Sequence, residues 1–261
     1  MSDKLLTLAG VHTHIGAYHI LHGVDLAVPR GQLTMLLGRN GAGKTTTLRT
    51  IMGLWHASQG RVQFAGKDIT ALHTPQIAEL GVAYVPENMG IFSDLTVKEN
   101  MVLAARGAKN ADAIDDTRLK WIFKLFPAVE KFWNHPAGKL SGGQKQMLAV
   151  SRAIVEPREL LIIDEPSKGL APAIINNMID AFAQLKARGS MIARDTASIC
   201  FWPPESLPAG WFQNFSTAGK SLKIHFSRVS SICSAFLAPR AASSMFSFTV
   251  RSEKMPMFSG T

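Results

Sequence analysis

Cysteine is nearly absent from this sequence, with Cys200 and Cys233 the only two in 261 residues. They have no metal-ligand spacing and suggest no disulfide framework, which sets aside a disulfide-stapled secreted domain or a zinc module. Long apolar runs are also missing. None approaches the ~20 residues needed to cross a bilayer. The opening MSDKLLTLAG lacks the basic-then-apolar pattern of a signal peptide, so the expected location is cytoplasmic. Acidic residues are few, 19 against 28 lysines and arginines, for a net charge of +9. That excess permits contact with nucleic acid or an anionic membrane surface, and it fits a solvated basic face equally well. With 46% hydrophobic residues, the chain can bury a sizeable core as one large domain or two small ones.

Organisation is clear up to about residue 190. Short alternating runs come first, LLTLAGVHTH and GVDLAVPRGQLTMLLG. Val24, Leu26 and Val28 share one strand face, and Pro29-Arg30-Gly31 makes a turn. GRVQFAGKDIT reads as a hairpin turning at Ala65-Gly66-Lys67. From about Leu95 to Phe132 the pattern is helical, with capping-box spacing between Thr96 and Glu99. A buried strand is expected at Leu160 to Ile163.

Three motifs carry chemistry. LTMLLGRNGAGKTTTLRTIMGL contains G-x-x-x-x-G-K-[ST], with a strand (Leu33 to Leu37) entering the loop and a helix (Thr45 to Met52) leaving it. Glycines let the backbone curl so that successive N–H groups face phosphates, and the helix N-terminus adds its positive end. Gly38, Arg39, Asn40, Gly41, Ala42, Gly43, Lys44, Thr45 and Thr46 form this expected nucleotide cradle. Lys44 would bridge the outer phosphates, and the Thr45 hydroxyl would hold Mg²⁺. Second, ELLIIDEPSKGLAP ends an apolar strand in Asp164-Glu165, delivering two carboxylates to the edge of a parallel sheet where ligands bind. Asp164 is suited to hold Mg²⁺ through water, and Glu165 to polarise an attacking water. Third, LSGGQKQMLAVSRAI places Ser141 and Gln144 at capping-box spacing around Gly142 and Gly143. This is a second helix start able to grip an anion. One nucleotide does not need two such grips in one chain, whereas two chains placed head to tail would use both.

Here the sequence resembles the ATP-binding subunits of ABC transporters over residues 5 to about 189. GRNGAGKTT looks like Walker A, LSGGQ matches the family signature, LLIIDE looks like Walker B and PSKGLAP resembles the D-loop. Within the family, GKDIT, GVAYVPE, IFSDLTVKEN and GLAP are similar to the branched-chain amino acid importer ATPases. The resemblance implies an α/β P-loop NTPase of ABC type, with a mainly parallel sheet core, an N-terminal antiparallel β-subdomain and an inserted helical subdomain at about 88–156. It implies ATP and Mg²⁺ as ligands, and transmembrane permease subunits as partners. A second ATP-binding subunit, sister or self, would complete a head-to-tail dimer in which Ser141, Gly142, Gly143 and Gln144 act in trans. The chain would then sit on the inner face of the cell membrane through the permease, with no nucleic acid partner. By the same resemblance Glu87 takes the Q-loop position and senses the metal-bound nucleotide. His14 stands where an adenine-stacking aromatic is usual, with Tyr18 nearby as a substitute. Lys168 and Asn88-Met89 depart from the family pattern.

After Ser190 the texture changes. The first 190 residues hold 7 serines and the last 71 hold 13, together with 8 of the 14 phenylalanines and only 3 of the 19 acidic residues. Where the family places a strand ending in a switch residue, this chain has MIARDTASICF. The switch is therefore unassigned, and His225 falls too far downstream to fill it. The simplest expectation is a reading-frame change near Ser190, with a genuinely rearranged C-terminus as the alternative. On either account the family's last strands are missing or replaced, 191–261 forms a tail foreign to the fold, and hydrolysis is expected to suffer. Two other functions stay open: a degenerate subunit that binds ATP without turnover, and a soluble ABC ATPase outside transport. The latter usually carries two cassettes or a long coiled-coil insert, and neither occurs here.

Overall fold

The computed structural model describes residues 4–31, 33–37, 41–105, 114–166, 197–201, 222–225 and 246–252. Two long strands open it, β1 (Lys4–Ile15) and β2 (Tyr18–Pro29). They pair antiparallel with Leu8 opposite Leu26 and Val11 opposite Val24. Their alternation buries Leu6, Leu8, Val11, Leu26 and Val28 on one side. The hairpin β4 (Ala57–Phe64) to β5 (Lys67–Asp68) continues this sheet on the free side of β1, in the order β2-β1-β4-β5. Its turn is Ala65-Gly66, with φ of 49° and 81°. Two successive positive φ values match the strand twist of a two-residue hairpin, so Lys67 already belongs to β5.

The second sheet contains β3 (Leu33–Leu37), β6 (Val82–Val85), β7 (Leu160–Ile163), β8 (Ala197–Phe201), β9 (Leu222–His225) and β10 (Phe246–Ser252). Its order is β6-β7-β8-β3-β10-β9. The first four run parallel, and β10 and β9 complete one edge antiparallel. Three short strands from the last 71 residues thus join this sheet, and β3 is flanked by β8 on one side and β10 on the other. Short period-2 stretches account for this. Ile199 and Phe201 alternate with Ser198 and Cys200, and Phe246, Phe248 and Val250 alternate with Ser247, Thr249 and Arg251. Averaged over the whole serine-rich segment, these four- to seven-residue patterns are easily missed.

Every residue of β7 is buried, and its alternation serves two cores. Leu160 and Ile162 join the cluster formed by the antiparallel sheet, β3 and helix α1 (Lys44–Ile51). Leu161 and Ile163 join the cluster of the helical insertion. After the short α2 (Thr74–Glu79), that insertion comprises α3 (Val97–Ala105), α4 (Asp116–Leu125), α5 (Pro127–Lys131) and α6 (Gly142–Ile154). The Thr96–Glu99 capping box forms as its spacing implies: the Thr96 amide donates to Glu99 Oε2 at 2.8 Å and the Glu99 amide to Thr96 Oγ1 at 3.1 Å. Asn100, one turn into α3 and fully buried, pins the preceding loop. Its Oδ1 accepts from the Phe92 amide at 2.9 Å, and its Nδ2 donates to the carbonyls of Phe92 at 2.9 Å and Thr96 at 3.0 Å. Gly38, Arg39, Asn40 and the whole of 167–190, which holds the D-loop and Lys168, lie outside the described residues.

Removing the Asn100 amide would leave buried backbone groups unpaired, at roughly 1–3 kcal/mol for each. Asn100→Ala is therefore expected to lower stability by about 3 kcal/mol, read as a shift of the urea midpoint, whereas Asp94→Ala on the same loop should leave it nearly unchanged.

Candidate functional site

The strand β3 runs into the glycine-rich loop, and α1 leaves it. Gly43 caps α1 with φ 86° and ψ 10°, a left-handed conformation that side chains disfavour. A Cβ there would also press on the buried Leu21 side chain at 2.8 Å. Gly41 shares the positive φ, at 81°. Lys44 opens the helix and is only 5% exposed. Thr47 anchors the first turn by donating from Oγ1 to the Gly43 carbonyl at 2.9 Å. At the other end of α1, Gly53 takes φ 67° as the stop. Thr50 and Thr13 meet through their buried hydroxyls at 3.1 Å, tying α1 to the antiparallel sheet.

Across the parallel sheet, β7 delivers Asp164 to the same place. The carboxylate is fully buried. Its Oδ1 accepts from Thr45 Oγ1 at 3.2 Å, and its Oδ2 from the Tyr84 hydroxyl at 3.3 Å. Its own amide donates to the Val85 carbonyl at 2.9 Å. Burial pushes the Asp164 carboxyl above its ordinary value. The Thr45 and Tyr84 hydroxyls counter this, and the nearby Glu165 and Glu87 carboxylates add to it. Tyr84 is pushed up to about 12, by burial first and then by Asp164, against the pull of the nearby Arg49 guanidinium. Glu165 follows with φ 49°, a strained backbone for a residue with a side chain and one that clusters at functional sites.

The structure therefore brings Thr45, Asp164, Glu165 and Glu87 together beside Lys44. A hydroxyl and clustered carboxylates are hard oxygen donors. They fit Mg²⁺, which takes one or two carboxylates and completes its shell with water and substrate phosphates. Among the described residues, no group of three or more His, Cys, Asp or Glu forms a self-sufficient metal site.

A cavity of about 440 Å³ lies between β2 and the loop, lined by His19, Leu21, His22, Asp25, Gly41 and Ala42. His14 and Tyr18 lie off its lining. His14 stacks on His19 at 4.2 Å between ring centres and pairs with Ser58 Oγ at 2.9 Å. Tyr18 stands 75% exposed near the hairpin tip. The LSGGQ segment starts α6 as a complete capping box: the Ser141 amide donates to Gln144 Oε1 at 2.8 Å and the Gln144 amide to Ser141 Oγ at 3.4 Å. Ser141 and Gly142 are exposed, while Gly143 is buried.

Sequence reasoning missed Tyr84 and Arg49. A polar ring inside the apolar strand VAYV, and an arginine one helical turn after Thr45, were the available signals.

A parallel sheet with a glycine-rich strand-to-helix loop, and an acidic strand end meeting that loop's threonine, define a P-loop nucleotide-binding protein. The comparisons narrow the class. The ABC transporter family model matches residues 21–168. The branched-chain amino acid transport ATP-binding protein BraG of Pseudomonas aeruginosa is 37% identical over 186 residues, covering 71% of this chain and 78% of that protein. The probable branched-chain amino acid transport ATP-binding protein LivF of Archaeoglobus fulgidus is 36% identical, covering 64% and 70%. Among solved structures, the ATP-binding subunit of an ABC transporter superposes with TM-score 0.65 at 27% identity, covering 77% of this chain and 80% of that one. An ATP-binding cassette solved as a dimer bound to ADP and Pi gives TM-score 0.65 at 22% identity, over 75% and 87%, a likeness of fold. This chain belongs to the ABC transporter ATP-binding family and carries that family's ATPase fold.

The raised Asp164 carboxyl sets a pH dependence. The folded chain binds this proton more tightly than the unfolded chain, so Asp164 is least unfavourable to folding when neutral. Its cost grows as pH rises through the ordinary carboxylate value toward the raised one. In nucleotide-free urea titrations, wild type should therefore lose ground relative to Asp164→Asn as pH climbs above the ordinary carboxylate value. A parallel pair of curves would exclude this assignment.

Proposed function

We propose that this chain is the ATP-binding and hydrolysing subunit of an ABC importer whose cargo is a branched-chain amino acid. The observation that carries the catalytic half is the 3.2 Å contact between Thr45 and Asp164, which joins the phosphate loop to the acidic strand end. The names of the BraG and LivF relatives support the cargo. In this reading Gly38 to Thr46 cradle the phosphates, with Lys44 on the outer ones. Thr45 and Asp164 hold Mg²⁺, with Glu87 beside them. Bound there, the metal neutralises charge that develops on the transferring phosphoryl group. Glu165 accepts a proton from the attacking water. Ser141, Gly142, Gly143 and Gln144 present an exposed helix start to the nucleotide of a second ATP-binding subunit. His14 or Tyr18 stacks on adenine. No nucleic acid is involved.

The permease, which would hold the chain at the inner face of the membrane, fits a second cavity of about 720 Å³. Leu54, Trp55, Met89, Gly90, Ala104 and Arg152 are among its lining residues. Leu54 and Phe92, both about half exposed, add apolar surface, a combination suited to a short amphipathic helix. The cavity also reaches Pro86, directly before Glu87. A second reading, nucleotide binding without turnover, is favoured by the departure of the sequence after Ser190, where no switch residue is identified.

Steady-state phosphate release by the full chain separates the two. Active wild type with at least 100-fold loss in both Lys44→Ala and Glu165→Gln supports the ATPase reading, given the size of general-base contributions. MgATP binding with no turnover in wild type supports the second. For the permease, Leu54→Glu is expected to weaken co-purification with the membrane subunits at least tenfold while leaving MgATP binding intact.

A further inference from the structure

The two oxygens of Asp164 are divided between two different parts of the molecule. Oδ1 takes the hydroxyl of Thr45, in the phosphate loop's helix, and Oδ2 takes the hydroxyl of Tyr84, on the neighbouring strand β6. The Arg49 guanidinium lies close enough to the Tyr84 hydroxyl to draw its pKa down. Arg49 lies four residues after Thr45 on α1 and so on the same helical face. Thr45, Asp164 and Tyr84 therefore form a hydrogen-bonded chain from α1 through β7 to β6, with Arg49 beside its far end on the same helix as Thr45. Tyr84 and Arg49 also line the 720 Å³ cavity, whereas Asp164 is fully buried behind them. The wall of the cavity and the carboxylate consequently share one hydroxyl group.

We propose that Tyr84 is a positioning residue for the metal-holding carboxylate: its hydroxyl, with Arg49 beside it, fixes the rotation of Asp164. The inference rests on the reading of Asp164 as a Mg²⁺ residue. A carboxylate with one oxygen tethered to Tyr84 keeps the other directed to the Thr45 side, where the ion is shared. Without the tether the carboxylate rotates, and the shared position is populated for only part of the time. Arg49 acts through Tyr84 and not independently.

The test is a Mg²⁺ titration of ATP binding by the full chain, followed by a fluorescent ATP analogue, with a matched series in EDTA. Tyr84→Phe keeps the ring and its packing and removes only the hydroxyl. The expected result is a five- to tenfold rise in the Mg²⁺ concentration at half-effect, with affinity in EDTA within twofold of wild type. Arg49→Ala should shift the titration in the same direction by less, and the double variant should match Tyr84→Phe alone, since groups acting in series are not additive. An unchanged Mg²⁺ titration in Tyr84→Phe would overturn the proposal, as would full additivity with Arg49→Ala. Lys44→Ala guards the underlying reading: if that variant still binds the analogue like wild type, the nucleotide assignment fails, independently of the tether.

Discussion

An ionisable carboxyl placed at the end of a wholly buried strand is the constraint around which this molecule is built. A charge there is costly unless it is hydrogen-bonded and paired. Asp164 meets two hydroxyls, those of Thr45 and Tyr84. Two further carboxylates raise its proton affinity. Such an arrangement is poised for a divalent cation and for the polyphosphate that accompanies it. The glycine-rich loop, the buried Lys44 and the strained backbone of Glu165 all face that same need.

Much of this was legible in the chain. Strand boundaries at Leu33–Leu37 and Leu160–Ile163, the capping boxes at Thr96 and Ser141 and the helix stop at Gly53 each follow from local chemistry, and each is found. Local rules suffice where a residue's own turn or its neighbours three and four positions away decide its conformation. What was not legible depends on contacts between distant segments. Tyr84 looks like one aromatic in an apolar strand until β6 and β7 pair and place it against Asp164. His19 and His22, which no motif marks, line the cavity beside the loop, and His14 stacks on His19 from the neighbouring strand. The strands beyond residue 190 escaped notice for a different reason. Their alternation is real but brief, and it sits inside a segment whose overall composition is unlike that of a folded domain.

The family assignment and the physical reading support one another at separate points. Similarity to the transport ATPases covers most of the first 190 residues, the same region in which motif order, capping and burial agree. Beyond it, the sheet order β6-β7-β8-β3 still closes the parallel core around β3.

The alternation of β7 also bears on how the chain reaches this state. Val85 on β6 pairs with Ile163 on β7, and the helical insertion lies between them. Closing a loop of roughly eighty residues carries an entropic cost that grows only slowly with length, but non-local pairing of this kind is slow to form. An insertion that has already folded shortens the effective span. Because β7 gives two side chains to each core, its docking completes both at once. In the finished fold the insertion therefore spans the ends of β6 and β7, and the strand that carries Asp164 packs on both halves of the domain at once.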